Sequence, residues 1–91
     1  MKVKNASAVK KFTDIPNIGP ATAKDFELIG LRSPNELKGK DGIKLFKKLC
    51  KESGVEHDPC TADVFLAAID FMNGGTPKKW WEFTEKRKKL L

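Results

Sequence analysis

The chain reads as all-α on three observations. Apolar residues recur at helical spacing between recognisable start and stop signals, and no stretch alternates apolar and polar residues as a half-buried strand does. One segment is apolar nearly all round, and a helix of that kind needs other helices to cover it. The expected architecture is a compact single domain of five to six helices over residues 1–91. Ninety-one residues leave no room for a second core and allow roughly 60–65% of the unfolded surface to be buried.

The elements follow in chain order. Residues 1–6 read as a flexible basic arm. Ser7 caps a short first helix through Thr13, with Val9 and Phe12 pointing inward. A residue before proline is pushed out of the α region, so this helix stops by about Ile15 ahead of Pro16. In the turn Pro16-Asn17-Ile18-Gly19, Asn17 tolerates positive φ and Gly19 takes it freely. Pro20 opens the next helix, where its fixed φ fits and its missing N–H costs nothing. That helix runs to about Ile29 with Phe26, Leu28 and Ile29 as its apolar face, and Gly30 closes it.

Ser33-Pro34-Asn35-Glu36 is a capping box opening one or two turns, with Leu37 inward and Gly39 as the stop. Asp41 or Gly42 then starts a longer helix to about Ser53, buried along Ile43, Phe46, Leu49 and Cys50 and ended by Gly54. After a loop, Asp58-Pro59 restarts the chain. Cys60, Val64, Ala67, Ala68 and Phe71 line one face of the new helix, and Phe65, Leu66, Ile69 and Met72 cover most of the rest. Only Thr61, Asp63 and Asp70 form a polar edge, which makes this the central helix. Asn73-Gly74-Gly75 ends it. Thr76-Pro77 caps a Trp- and Lys-rich helix in residues 77–91, docked by Trp80, Phe83 and Leu90.

Charge is unevenly placed. The net +6 comes from two ends: residues 1–13 hold four lysines and no acid, and residues 78–91 hold six basic and two acidic side chains. Residues 14–77 carry eight basic and ten acidic groups. Basic ends suit a polyanionic partner, or serve solubility alone. Lys44, Lys47, Lys48 and Lys51 add an internal cationic face, since their spacing puts all four on one side of a helix. No apolar run approaches the ~18–20 residues of a membrane span, and Met-Lys-Val-Lys-Asn is no signal peptide, so a cytoplasmic location is expected.

The stretch Ile15, Pro16, Ile18, Gly19 and Ala23 resembles the helix-hairpin-helix motif, with Asn17 in place of the commoner glycine. Helix, tight turn, helix, connector, helix, loop, helix is further the layout of a double helix-hairpin-helix. Its second hairpin, Ser53–Asp58, is degenerate: it lacks the Gly-apolar-Gly signature and carries Glu56 and Asp58. The longer pattern joins I-P-N-I-G-P-A-T-A-K-D-F, S-P-N-E-L-K-G, L-C at 49–50, H-D-P-C-T-A-D-V-F and K-W-W. It is similar to small bacterial helix-hairpin-helix proteins labelled "pathogenicity locus", related to the C-terminal domain of the competence regulator TfoX. The likeness spans roughly residues 11–83 and strengthens the fold; it defines no activity.

Such a hairpin binds nucleic acid through its backbone. Unpaired N–H groups and the positive end of the helix dipole make an anion site at the second helix's N-terminus. The donors here are Gly19, Ala21 and Thr22, with Lys24 just beyond and Lys10, Lys11 and the basic tail as needed support. Glycine at 19 lets a phosphate reach the backbone. Contacts of this kind position a nucleic acid, DNA above all, without reading its sequence. Asp14, Asp25 and Glu27 nearby keep the site weak. The resemblance also implies a monovalent cation under the hairpin, held by the carbonyls of Thr13, Ile15 and Ile18.

Two other readings stand beside this one. The lysines at 44, 47, 48 and 51, or Trp81 with Trp80, can instead serve a protein partner, and Trp81 can stack on bases. Cys50, His57 and Cys60 are the candidates for metal or thiol chemistry. Cys-x6-His-x2-Cys is an uncommon zinc spacing without a fourth ligand, and Cys60 in a first helical turn suits a lowered thiol pKa. Free cysteines of an intracellular chain are otherwise small buried hydrophobes. With one histidine, no nucleotide loop and no paired carboxylates, no catalytic constellation emerges, and an independent enzyme is not expected.

Overall fold

A computed structural model describes residues 2–90. Met1 and Leu91, the outer ends of the expected arm and C-terminal helix, lie outside the described residues. The described chain is helical and contains no strand. Four α-helices form it: α1, Pro20–Leu28; α2, Gly42–Ser53; α3, Cys60–Met72; and α4, Thr84–Leu90. Single 3-10 turns at Ala6–Ala8, Phe12–Asp14, Pro34–Leu37 and Trp80–Phe83 take the places of the shorter helices. None of the described helices is long and apolar enough to cross a membrane.

The central helix is α3, as its composition requires. Phe65, Ala68, Phe71 and Met72 are buried on it, and α2 and the Trp80–Phe83 turn pack most closely against it. Ile43, Phe46 and Leu49 form the buried stripe of α2, while Cys50 is half-buried. Asp41 caps α2 by accepting the N–H groups of Ile43 and Lys44, and Gly54 ends it in the left-handed conformation. At Gly42 a Cβ would stand 2.9 Å from Leu66 Cδ2 and 3.2 Å from the Leu66 backbone nitrogen. Only glycine lets the start of α2 come this close to α3.

A line of aromatic rings seats α1 and the turn before it on this core. Phe12 lies 5.1 Å from Phe26, and Phe26 lies 4.8 Å from Phe65, centroid to centroid. Ile15 and Ile18, on either side of the turn, are fully buried. The turn's apolar residues are therefore its anchors.

Four expectations change. The helix over Ser7–Thr13 is replaced by two separate 3-10 turns with extended backbone at Val9 and Lys11. Asp14 explains this: its Oδ2 accepts the N–H groups of Lys10 and Lys11 at 3.0 and 3.1 Å, taking them from a helical ladder. Ser7, expected as the cap, spends its hydroxyl on Asn5. Leu28 is 52% exposed; the buried face of α1 runs through Phe26 and Ile29, one turn apart, and Leu28 lies off it. The C-terminal segment stays extended through Lys79, where the Glu82 carboxylate accepts the Lys79 N–H at 2.7 Å and starts the 3-10 turn. Leu90, expected to dock this segment, is 52% exposed, whereas Phe83 is buried.

The largest departure is Asp63. Expected on a polar edge, it is fully buried. Arg87 Nε donates to its Oδ1 at 2.8 Å and Thr84 Oγ1 to its Oδ2 at 2.7 Å, so both oxygens are satisfied. This pair, rather than Leu90, fastens α4 to α3.

Candidate nucleic-acid interface

The turn Ile15–Gly19 is tighter than a simple connector. The Ile18 N–H donates to the Ile15 carbonyl at 3.1 Å, and Asn17 carries the positive φ, 73°, that closes it. Gly19 was expected to share that conformation and does not: its φ is −102° and ψ −178°, extended backbone open to any residue. A Cβ there would meet nothing within 4 Å. Neither backbone strain nor packing in this chain requires glycine at 19.

Beyond Gly19, the first turn of α1 holds no acidic residue, and no side chain caps it. The N–H groups of Gly19, Ala21 and Thr22 find no acceptor among the described residues, and Pro20 has no N–H to offer. Ala21 and Lys24 are exposed and Thr22 is half-exposed. The other long helices differ, since Asp41 caps α2 and Asp58 accepts the Cys60 N–H at the start of α3. What α1 presents is a short row of free donors at the positive end of a dipole.

Several lysines lie on the segments that flank the turn. Lys10 and Lys11 are exposed, and their backbone is held to the hairpin by Asp14. Those same N–H groups hold the Asp14 carboxyl below its ordinary pKa, so it stays ionised beside them. The basic arm lies over the hairpin: the Val3 N–H donates to the Asp14 carbonyl at 3.0 Å. Lys2 Nζ donates to the Thr13 carbonyl at 2.6 Å and also to the Ile18 carbonyl. Two of the three carbonyls expected to hold a monovalent cation thus hold the protein's own ammonium, and the third, Ile15, accepts from Ile18. Burial against the turn lowers the Lys2 pKa, opposed by the charge of Asp14.

Asn17 has a second task that its letter did not reveal. Its Nδ2 donates to the Lys78 carbonyl at 2.7 Å, tying the hairpin tip to the C-terminal segment across 61 residues of chain. Lys78 in turn pairs with Asp70 at 2.7 Å, both about two-fifths exposed. A glycine at 17 would adopt the same turn without this tie.

The accessory candidates divide. Lys44, Lys47, Lys48 and Lys51 are all exposed on α2, and no carboxylate pairs with them among the described residues. Trp80 is half-buried against the core, while Trp81 is 57% exposed with Lys79 Nζ 5.9 Å from its ring centroid.

Cys50, His57 and Cys60 are not gathered into one ligand set. Among the described residues no three histidine, cysteine or acidic side chains are gathered as ligands, and His57 Nε2 sits 2.9 Å from Ser53 Oγ. Cys60 also reverses its expectation. The Asp58 carboxylate, which accepts the Cys60 N–H at 2.8 Å, favours the protonated thiol as its hydrogen-bond acceptor and raises the pKa, with burial adding to the effect. Both cysteines are free.

The chain belongs to the pathogenicity locus family, Cdd1, whose profile matches residues 5–89. It is also similar to a mitomycin resistance protein, McrB, of Streptomyces lavendulae, with 33% identity over 79 residues that cover 87% of this chain and 75% of that protein. No solved structure matches it.

Proposed function

We propose that the chain is a helix-hairpin-helix module that binds nucleic-acid backbone, DNA foremost, without sequence preference. The kinship with the TfoX C-terminal domain belongs to this same reading. Gly19 carries it: a glycine that neither the backbone nor the packing requires stands before the free donors of α1. A phosphate approaching those N–H groups does require it. Ala21 and Thr22 supply further donors, and Lys24, Lys10 and Lys11 supply charge. Lys2 adds an ammonium at the carbonyl of the residue preceding Gly19. The loop between α2 and α3, with Glu56 and Asp58, takes no part.

Labelled duplex DNA titrated across a salt series tests this. With about three phosphates neutralised, affinity should fall on the order of 30-fold between 50 and 200 mM salt. Gly19→Val should weaken binding and keep the native melting temperature, since its side chain meets open space. Absence of binding at low salt, or a salt-independent titration, sinks the reading.

The exposed Trp81 and the lysine face of α2 favour one rival, a protein-binding adaptor. An adaptor would leave Gly19→Val without effect on its interaction.

A further inference from the structure

Beside the turn Ile15–Gly19 lies an open groove of about 670 Å³ whose lining includes none of the α1 donors Gly19, Ala21 and Thr22. Three segments distant in sequence wall it: the arm at Lys2–Lys4, the turn at Pro16–Asn17, and the segment Pro77–Glu82. Val3, Pro16 and Pro77 give it apolar surface, and Lys2, Lys4, Lys78 and Lys79 line it, Lys78 with its ammonium on Asp70 and Lys2 with its ammonium on the Thr13 and Ile18 carbonyls. Glu82 is the one acid in the lining, and its Oε2 is occupied by the Lys79 N–H.

The groove is built rather than incidental. Val3 is tied to Asp14, Asn17 to Lys78, and Lys78 to Asp70. Lys2 is fixed at the groove's wall by its bonds to the Thr13 and Ile18 carbonyls. Lys4 and Lys79 are exposed, and neither has a carboxylate partner among the described residues.

The combination narrows the occupant. A duplex hides the faces of its bases and offers a protein mainly phosphates, for which apolar walls are no advantage. A single strand offers both phosphates and unstacked base faces, and sites for it pair a cationic groove with apolar or aromatic platforms. We propose that this groove holds a single-stranded segment continuing from the phosphate site at α1, with phosphates on the lysines and bases against Val3, Pro16 and Pro77. Trp81, exposed beside Lys79, stands ready for a further base. The proposal rests on the nucleic-acid reading above and adds a preference for duplex ends that carry a single-stranded tail.

Fluorescence anisotropy at low salt tests it with three labelled DNAs: a blunt duplex, the same duplex with a thymidine overhang, and the same with an abasic overhang. The readout is each affinity relative to the blunt duplex. The overhang should bind roughly tenfold tighter, as one or two stacked bases would give, and the abasic tail, with equal charge, should recover only part of that gain. Lys4→Gln combined with Lys79→Gln should bring the ratio close to one, with the circular dichroism spectrum of the parent. If blunt duplex binds and overhangs add nothing, or abasic and thymidine tails are equivalent, the groove is no strand site, although the α1 reading survives. If no DNA binds, both fail. Displacement of the overhang by polyglutamate as readily as by oligothymidine would also overturn the proposal, marking the groove as a docking site for an acidic peptide.

Discussion

Asp63 sits where an apolar helix should least tolerate a charge, and its two partners explain why it is there. Removing the carboxylate leaves the Arg87 guanidinium and the Thr84 hydroxyl facing the interior without an acceptor. Asp63→Ala should therefore cost about 3 kcal/mol or more in urea unfolding, where an exposed aspartate would cost almost nothing. A sequence signal existed, in that Arg87 is the one arginine in the basic C-terminal run. Arginine, with its planar fork of donors, is the residue suited to a buried carboxylate. Cys60 shows the opposite case. Its position in the first turn predicted a reactive thiolate, but the neighbouring Asp58 decides, and a carboxylate acceptor keeps the proton on sulfur. Alkylation of Cys60 should show a midpoint above that of an ordinary cysteine. Asp58→Asn, which can still cap α3, should move the midpoint down; an unchanged profile would remove Asp58 as the cause.

Among the elements, α2 and α3 were the most legible. Their ends follow from local chemistry: Asp41 and Gly54 for one, Asp58-Pro59 and Asn73-Gly74 for the other. Period 3.6 located the stripe Ile43, Phe46, Leu49 correctly because each of these faces one neighbour. The short elements were less legible. A segment of three or four residues has too few internal hydrogen bonds to hold a helix alone, so nearby side chains decide its form. The carboxylates of Asp14, Glu36 and Glu82 do so here, the first two each taking two backbone N–H groups and the third taking one, and each leaving a 3-10 turn. At the α2–α3 contact, Gly42→Val should destabilise the domain by roughly 2 kcal/mol, since the added groups meet Leu66 and part the helices. Thermal unfolding checks this, and stability equal to the parent would show that the contact yields.

Across the whole molecule, the turn Ile15–Gly19 is held from three sides: by the aromatic line beneath it, by the arm over it, and by Asn17 reaching Lys78. Asn17→Gly isolates the last of these, because glycine keeps the positive φ and loses the amide. The variant should lose about 1 kcal/mol in stability. Amide exchange should rise in both the turn and residues 77–79. Faster exchange confined to the turn would mean that the two ends of the chain are not coupled through it.

By itself the sequence determined the helical class, the long helices and their caps, the turn at 15–19 and the family pattern, because each depends on residues within a few positions of one another. The tertiary structure alone decided the rest. It buried Asp63 against Arg87, set Lys2 on the hairpin carbonyls, turned Asn17 into a clasp, and brought the arm and residues 77–82 to one groove. Each of those joins residues at least 11 positions apart, beyond the reach of any local propensity. It also left Gly19 without an internal reason to be glycine, a fact visible only once the space around it was known.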